Sequence, residues 1–212
     1  MLGDVDPTAA RLVCVRHPEL EAAAQKLVLG QRPAELSRRG RAAVLTVLRQ
    51  LASVTVDAVL TADVPQASVL AQALAKDRGL TAQAEPRLRD QYMGGWEGEA
   101  WDAIKARDPE LLTEFFTDYG RVAPPGGESL KEALQRAAGL WAEREPELRG
   151  KTVVMVANAP LLSALAGSLL GLPFQRSLAL PLPPGGIGVL DVFRDGARLR
   201  TWHPDCLSDQ SA

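Results

Sequence analysis

Apolar positions along the chain alternate between two periods. Residues 12–15 form a continuous apolar run, as in a strand buried on both faces. Pro18 stops it, because a fixed φ and a missing N–H suit the first turn of a helix. Ser37 reads as an N-cap. Val44, Val47, Leu48 and Leu51 follow it at the i, i+3, i+4, i+7 spacing of an amphipathic helix. Residues 57–61 read as a second buried strand, Pro65 as a helix start, Gly79 as the C′ residue that ends that helix, and 81–84 as a short third strand. This alternation predicts an α/β fold with a largely parallel sheet and right-handed crossovers.

Residues 90–127 break the rhythm. Tyr92, Trp96, Trp101, Phe115, Phe116 and Tyr119 crowd there, with Gly94, Gly95 and Gly98 between them. The stretch reads as a helical, aromatic cap inserted over the sheet edge. A long helix then presents Leu130, Leu134, Ala137 and Trp141 on one face, and 152–157 is the most apolar strand. Residues 152–175 carry no charge, enough in length for a membrane span. Asn158, Pro160 and Gly171-Leu172-Pro173 interrupt them, so strand, turn and buried helix is the better reading. Residues 187–193 and 198–202 alternate like a hairpin around Asp195-Gly196. A single domain over 11–203 is expected, with 1–10 and 204–212 as flexible termini.

Composition narrows the function classes. A formal charge of −2 leaves no electrostatic footprint for nucleic acid. The two cysteines, Cys14 and Cys206, have no metal-ligand spacing, and Cys14 reads as a core residue of the first strand. No metal or organic cofactor is implied, and residues 1–10 have no apolar signal segment, so a cytoplasmic location is expected. Gly150-Lys151-Thr152 imitates the end of a P-loop, but Glu145 stands where the first glycine belongs and a strand follows. Lone His203, beside Trp202 and Pro204, reads as structural or surface.

The chemistry concentrates at Arg16-His17, side by side at the carboxyl end of the first strand, the edge where open α/β sheets bind ligands. On its own the pair could equally be a surface feature. Five segments in order change its meaning: Arg16-His17-Pro18; Gly30 with Leu36-Ser37 and Gly40; Thr61-Ala62-Asp63 with Ala67; Leu88-Arg89-Asp90 with Gly94 and Trp96-Glu97-Gly98; and Gly126-Gly127-Glu128-Ser129. In this register the chain resembles the histidine phosphatase superfamily, the phosphoglycerate mutase-like family, over about residues 11–193. The resemblance implies a three-layer α/β fold, with a mostly parallel central sheet, helices on both faces and a cap insertion. It also implies phosphoryl transfer through a phosphorylated histidine. Two arginines and a second histidine surround the phosphate, and a glutamate acts as general acid.

Carried over position by position, the resemblance makes His17 the nucleophile and Asp90 the acid, one methylene shorter than glutamate. Arg16, Gln66 and Asn158 fall at phosphate-binding positions, with Gln66 where the second arginine stands and Asn158 where the second histidine stands. Pro18 removes a backbone donor beside the nucleophile, and Leu20, Ala23 and Ala159 depart from the family pattern. Neither Gln66 nor Asn158 can be cationic. The expectation is therefore a degenerate phosphate pocket, catalytically impaired and acting by binding or scaffolding. The alternative is a low-activity phosphomonoesterase with His17 as nucleophile. The expected partner is a small phosphorylated molecule or an inorganic anion, with neither nucleic acid nor membrane.

Overall fold

Four consecutive side chains of strand β1 (Ala10–Arg16), Leu12 to Val15, are fully removed from solvent. A strand so placed needs partners on both edges. β4 (Thr152–Ala157) pairs with it in parallel and β5 (Ile187–Phe193) antiparallel. β2 (Ala58–Thr61) and β3 (Ala82–Ala84) extend the parallel side, and β6 (Gly196–His203) closes the other as the hairpin partner of β5. The order is β3-β2-β4-β1-β5-β6. In the computed structural model, residues 9–118 and 120–203 are described. The expectations for residues 1–8, Tyr119, Cys206 and the tail from 204 lie outside them. β1 begins at Ala10, one residue before the expected boundary at 11.

Helices cover both faces, as the resemblance implies. α2 (Arg38–Gln50) packs beside α3 (Pro65–Asp77), and α6 (Leu130–Leu148) beside α7 (Ala159–Leu169). Their ends follow local chemistry. Ser37 Oγ accepts from the Gly40 amide at 2.9 Å, and Ser129 forms a reciprocal capping box with Glu132. Gly79, just beyond α3, has φ of 66°, as a C′ residue requires. The uncharged stretch after residue 152 divides into β4 and α7, and no described helix is long and apolar enough to cross a membrane.

The cap contains two short helices, α4 (Trp101–Arg107) and α5 (Pro109–Thr117). Pro109 starts the second, where its missing N–H removes no helical bond. Trp96, Ile104, Leu112 and Phe115 form a small apolar core with Met93 and Val28, separate from the main core around the sheet. Val28 joins it because residues 27–28 run against 98–100, with Gly98 donating to the Val28 carbonyl and Val28 to that of Glu99. A four-residue helix, α1 (Ala22–Gln25), precedes this seam.

Candidate active site

Parallel pairing of β1 and β4 sets Arg16 opposite Ala157, so the next residues, His17 and Asn158, leave the sheet together. The His17 amide donates to the Ala157 carbonyl at 3.2 Å, prolonging the ladder by one step. Behind His17, Gly40 lets the first turn of α2 press on the backbone of Glu19, since a Cβ there would collide with the Glu19 carbonyl. The segment that carries His17 is thus held by a strand on one side and a helix start on the other.

Four of the five predicted site residues converge. Arg16, His17, Asp90 and Asn158 line one cavity of about 470 Å³ at the carboxyl edge of β1 and β4. His17 is 3% exposed. Its Nδ1 lies 2.8 Å from the Pro18 carbonyl oxygen, which can only accept, so the neutral ring carries its proton on Nδ1 and keeps its lone pair on Nε2. Burial is the main cause that pushes its pKa down to about 4, with Arg16 adding to the shift and the Pro18 hydrogen bond opposing it.

Asp90 responds to the same surroundings in the opposite direction. Although part of the residue faces the cavity, its carboxyl is embedded in protein, and burial raises its pKa to about 6. The opposing influences are the Gln91 amide, the Asn158 side chain and the charges of Arg136 and Arg16. Asn158 donates to Asp90 Oδ2 at 2.9 Å, while Oδ1 is buried without a protein partner. Arg16 spans from the cavity to the Leu182 carbonyl, to which Nη1 donates at 2.8 Å, and its buried Nε has no protein partner. Buried polar groups normally find partners, so a donor and acceptors left open around one cavity mark a place for a ligand.

Gln66 lies elsewhere. It is 1% exposed in the first turn of α3 and is absent from the lining of this cavity. Its Oε1 accepts from the Ala34 amide at 3.0 Å and its Nε2 donates to the Arg32 carbonyl at 3.1 Å. Both ends of the carboxamide thus hold the loop after Gly30.

The signature segments form the frame of the site. Glu97 accepts from the Gln31 amide at 2.7 Å, and the adjoining Gly30 has φ of 56°, with its missing Cβ leaving space for that carboxylate. Glu128 accepts from the Tyr92 amide at 2.8 Å and from Arg136 Nη2 at 2.7 Å. Arg136, which the sequence reading did not single out, also donates to the carbonyls of Arg87 at 2.8 Å and Asp90 at 2.6 Å. It fixes the backbone from which the Asp90 carboxyl projects. Arg89 grips Asp63 with two bonds of 2.6 Å, tying that segment to the end of β2.

Elsewhere, Cys14 is buried and its thiol is pushed up to about 12, in keeping with a core role. Among the described residues, no group of three or more His, Cys, Asp or Glu side chains could hold a metal ion.

Comparison with known proteins gives the chain's relatives. The chain is 32% identical over 188 residues to the glucosyl-3-phosphoglycerate phosphatase of Mycobacterium tuberculosis, covering 85% of this chain and 82% of that one. It is 25% identical over 202 residues to the adenosylcobalamin/alpha-ribazole phosphatase of Escherichia coli, covering 95% and 100%. A solved structure of mycobacterial glucosyl-3-phosphoglycerate phosphatase with inorganic phosphate matches with a TM-score of 0.81 at 28% identity, over 93% of this chain and 99% of that one. The model of the histidine phosphatase superfamily (branch 1) matches residues 12–205, and the chain belongs to that superfamily.

Proposed function

We propose that the chain is a phosphomonoesterase working through a phosphohistidine, with His17 as nucleophile, Asp90 as general acid and Arg16 as the cationic phosphate ligand. The observation that carries this reading is the His17–Pro18 hydrogen bond, which leaves the Nε2 lone pair directed to chemistry. With a pKa near 4, the imidazole is neutral over most of the working range, and no proton must be removed before attack. Pro18 lacks a backbone donor, yet its carbonyl holds the ring in the useful tautomer.

In the first step, Nε2 forms a bond to phosphorus, the bond to the leaving oxygen breaks, and the proton of Asp90 passes to that oxygen. In the second, Asp90, now a carboxylate, accepts a proton from water as the water oxygen bonds to phosphorus. The P–N bond breaks and its electron pair returns to Nε2. A pKa near 6 suits a group that must be an acid in one step and a base in the next. Asn158 orients that carboxyl through Oδ2.

The expectation that impairment comes first yields here to the phosphatase alternative. The named relatives are phosphatases, and the nucleophile and acid positions hold groups with matched protonation states. The missing cations still have a cost. Loss of one preorganised donor slows a comparable site by about 10²–10³, so a pocket with Arg16 as its cationic side chain is expected to turn over slowly.

The direct test is to trap the intermediate. A labelled aryl phosphate, quenched in alkali, should leave an acid-labile phosphoryl group on the wild-type chain and none on folded His17→Ala. Equal phosphate release by the two proteins would overturn the assignment.

A further inference from the structure

Resting on the phosphatase reading of the same cavity, we propose that its substrates are phosphomonoesters whose leaving alcohol is uncharged, apolar and at least the size of a benzyl group.

Charge supplies the first argument. Among the residues lining the cavity, Arg16 is the cation, while Glu19 and Asp90 bring carboxyl groups and His17 is neutral. A phosphoryl group occupies Arg16. A second anionic group on the substrate, a carboxylate or another phosphate, would meet Glu19 with no cation left to offset it.

The second argument is the apolar lining of the cavity. Leu27, Val28, Met93, Trp101, Phe115 and Phe116 line it. Three of these are large apolar side chains left open to solvent: Leu27 at 37%, Trp101 at 39% and Phe116 at 54%. The Phe116 ring stands 5.4 Å from those of both Trp101 and Phe115, forming a continuous aromatic surface. Packing within the cap uses part of it, since the Trp101 ring stands edge-on to Trp96 at 6.3 Å, yet Trp101 and Phe116 both remain exposed. Exposed apolar surface converging on a cavity of ligand size, rimmed by a few polar groups, marks the seat of an apolar ligand.

The test compares benzyl phosphate with glycerol 3-phosphate and 3-phosphoglycerate, all esters of unactivated alcohols. Benzyl phosphate should exceed glycerol 3-phosphate by about tenfold or more in kcat/KM, in line with the discrimination an apolar pocket provides, and 3-phosphoglycerate should be the poorest. The combined substitution Trp101→Ser and Phe116→Ser should bring the benzyl-to-glycerol ratio close to one. Phe116→Ser alone, at a more exposed position, should lower it part of the way. Calorimetric binding of benzylphosphonate and methylphosphonate reads the same preference without chemistry. Equal turnover of the three esters, or benzylphosphonate binding no tighter than methylphosphonate, overturns the inference. Absence of turnover for all three, with benzylphosphonate still preferred, counts against the phosphatase reading and leaves the apolar seat standing.

Discussion

Asn158 Nδ2 donates to Asp90 Oδ2 at 2.9 Å, so the residue at one expected phosphate-binding position holds the residue at the expected acid position. That bond favours the ionised carboxyl and therefore restrains the rise in its pKa. Asn158→Ala removes the restraint. The alkaline limb of kcat/KM should move to higher pH, together with a loss of kcat from the unheld carboxyl. A pH–rate profile of the variant checks both, and an unmoved limb would assign Asn158 a role independent of Asp90.

On the proposed mechanism, the two shifted groups should give the wild type an acidic optimum. His17 must be neutral, which holds above about 4, and Asp90 must carry its proton, which holds below about 6. The profile of kcat/KM should rise through the first value, peak near the middle and fall through the second. Asp90→Asn should abolish the alkaline limb along with most of the activity.

Asp90 also couples pH to stability. Its folded pKa is raised from 3.8 to about 6, so its contribution is fully present below the unfolded value and is lost as pH rises through the folded one. Asp90→Asn, neutral at every pH, should therefore be more stable than wild type at pH 7.5, on the order of 3 kcal/mol by the usual conversion of a pKa shift. The advantage should vanish below the unfolded value. Urea titrations at pH 7.5 and pH 3.5 decide it.

Gln66 holds the loop after Gly30 through both ends of its carboxamide. Gln66→Ala leaves the buried Ala34 amide unpaired, at about 1–3 kcal/mol without compensation, takes the partner from the Arg32 carbonyl, and should lower Tm by several degrees. Gln66→Arg paired with Asn158→His, which would complete the cationic set on the sequence reading alone, must first overcome this loss. Thermal melts with phosphate added separate the two effects, because only a gain in phosphate affinity makes the melt of the double variant rise with phosphate more steeply than that of wild type.

Arg136 anchors two carbonyls and the Glu128 carboxylate from α6. Arg136→Met keeps most of the apolar stem and removes every donor. It should reduce kcat tenfold or more while KM changes little, since the loop that carries Asp90 loosens and Arg16 is untouched. Single-turnover kinetics at saturating substrate provide the measurement.

Much of this was legible in the sequence because local rules and global fold agree. Ser37, Pro65, Gly79 and the alternation around Asp195-Gly196 each sit where the structure uses them. The site was legible where chain neighbours carry it, as with Arg16 and His17 at the end of β1. It was less so where a side chain could turn either way. Gln66 stands at the expected position in α3, but the backbone of residues 32–34 captures its amide. Pro18 reads as a missing donor, whereas its carbonyl governs His17. Arg136 escapes notice because two of its partners are main-chain carbonyls nearly fifty residues away, which no pattern of residue types records.

The cap core built on Trp96, Ile104 and Phe115 stands apart from the core beneath the sheet. Its cohesion is therefore its own, and it can open and reclose as a unit while the strands that carry His17 and Asn158 stay paired. Amide hydrogen exchange would reveal this as a faster-exchanging block over α4 and α5. On the proposed function, substrate choice and bond breaking would then reside in separately cooperative parts of one chain, so that drift in the aromatic wall would change what is admitted without unsettling His17.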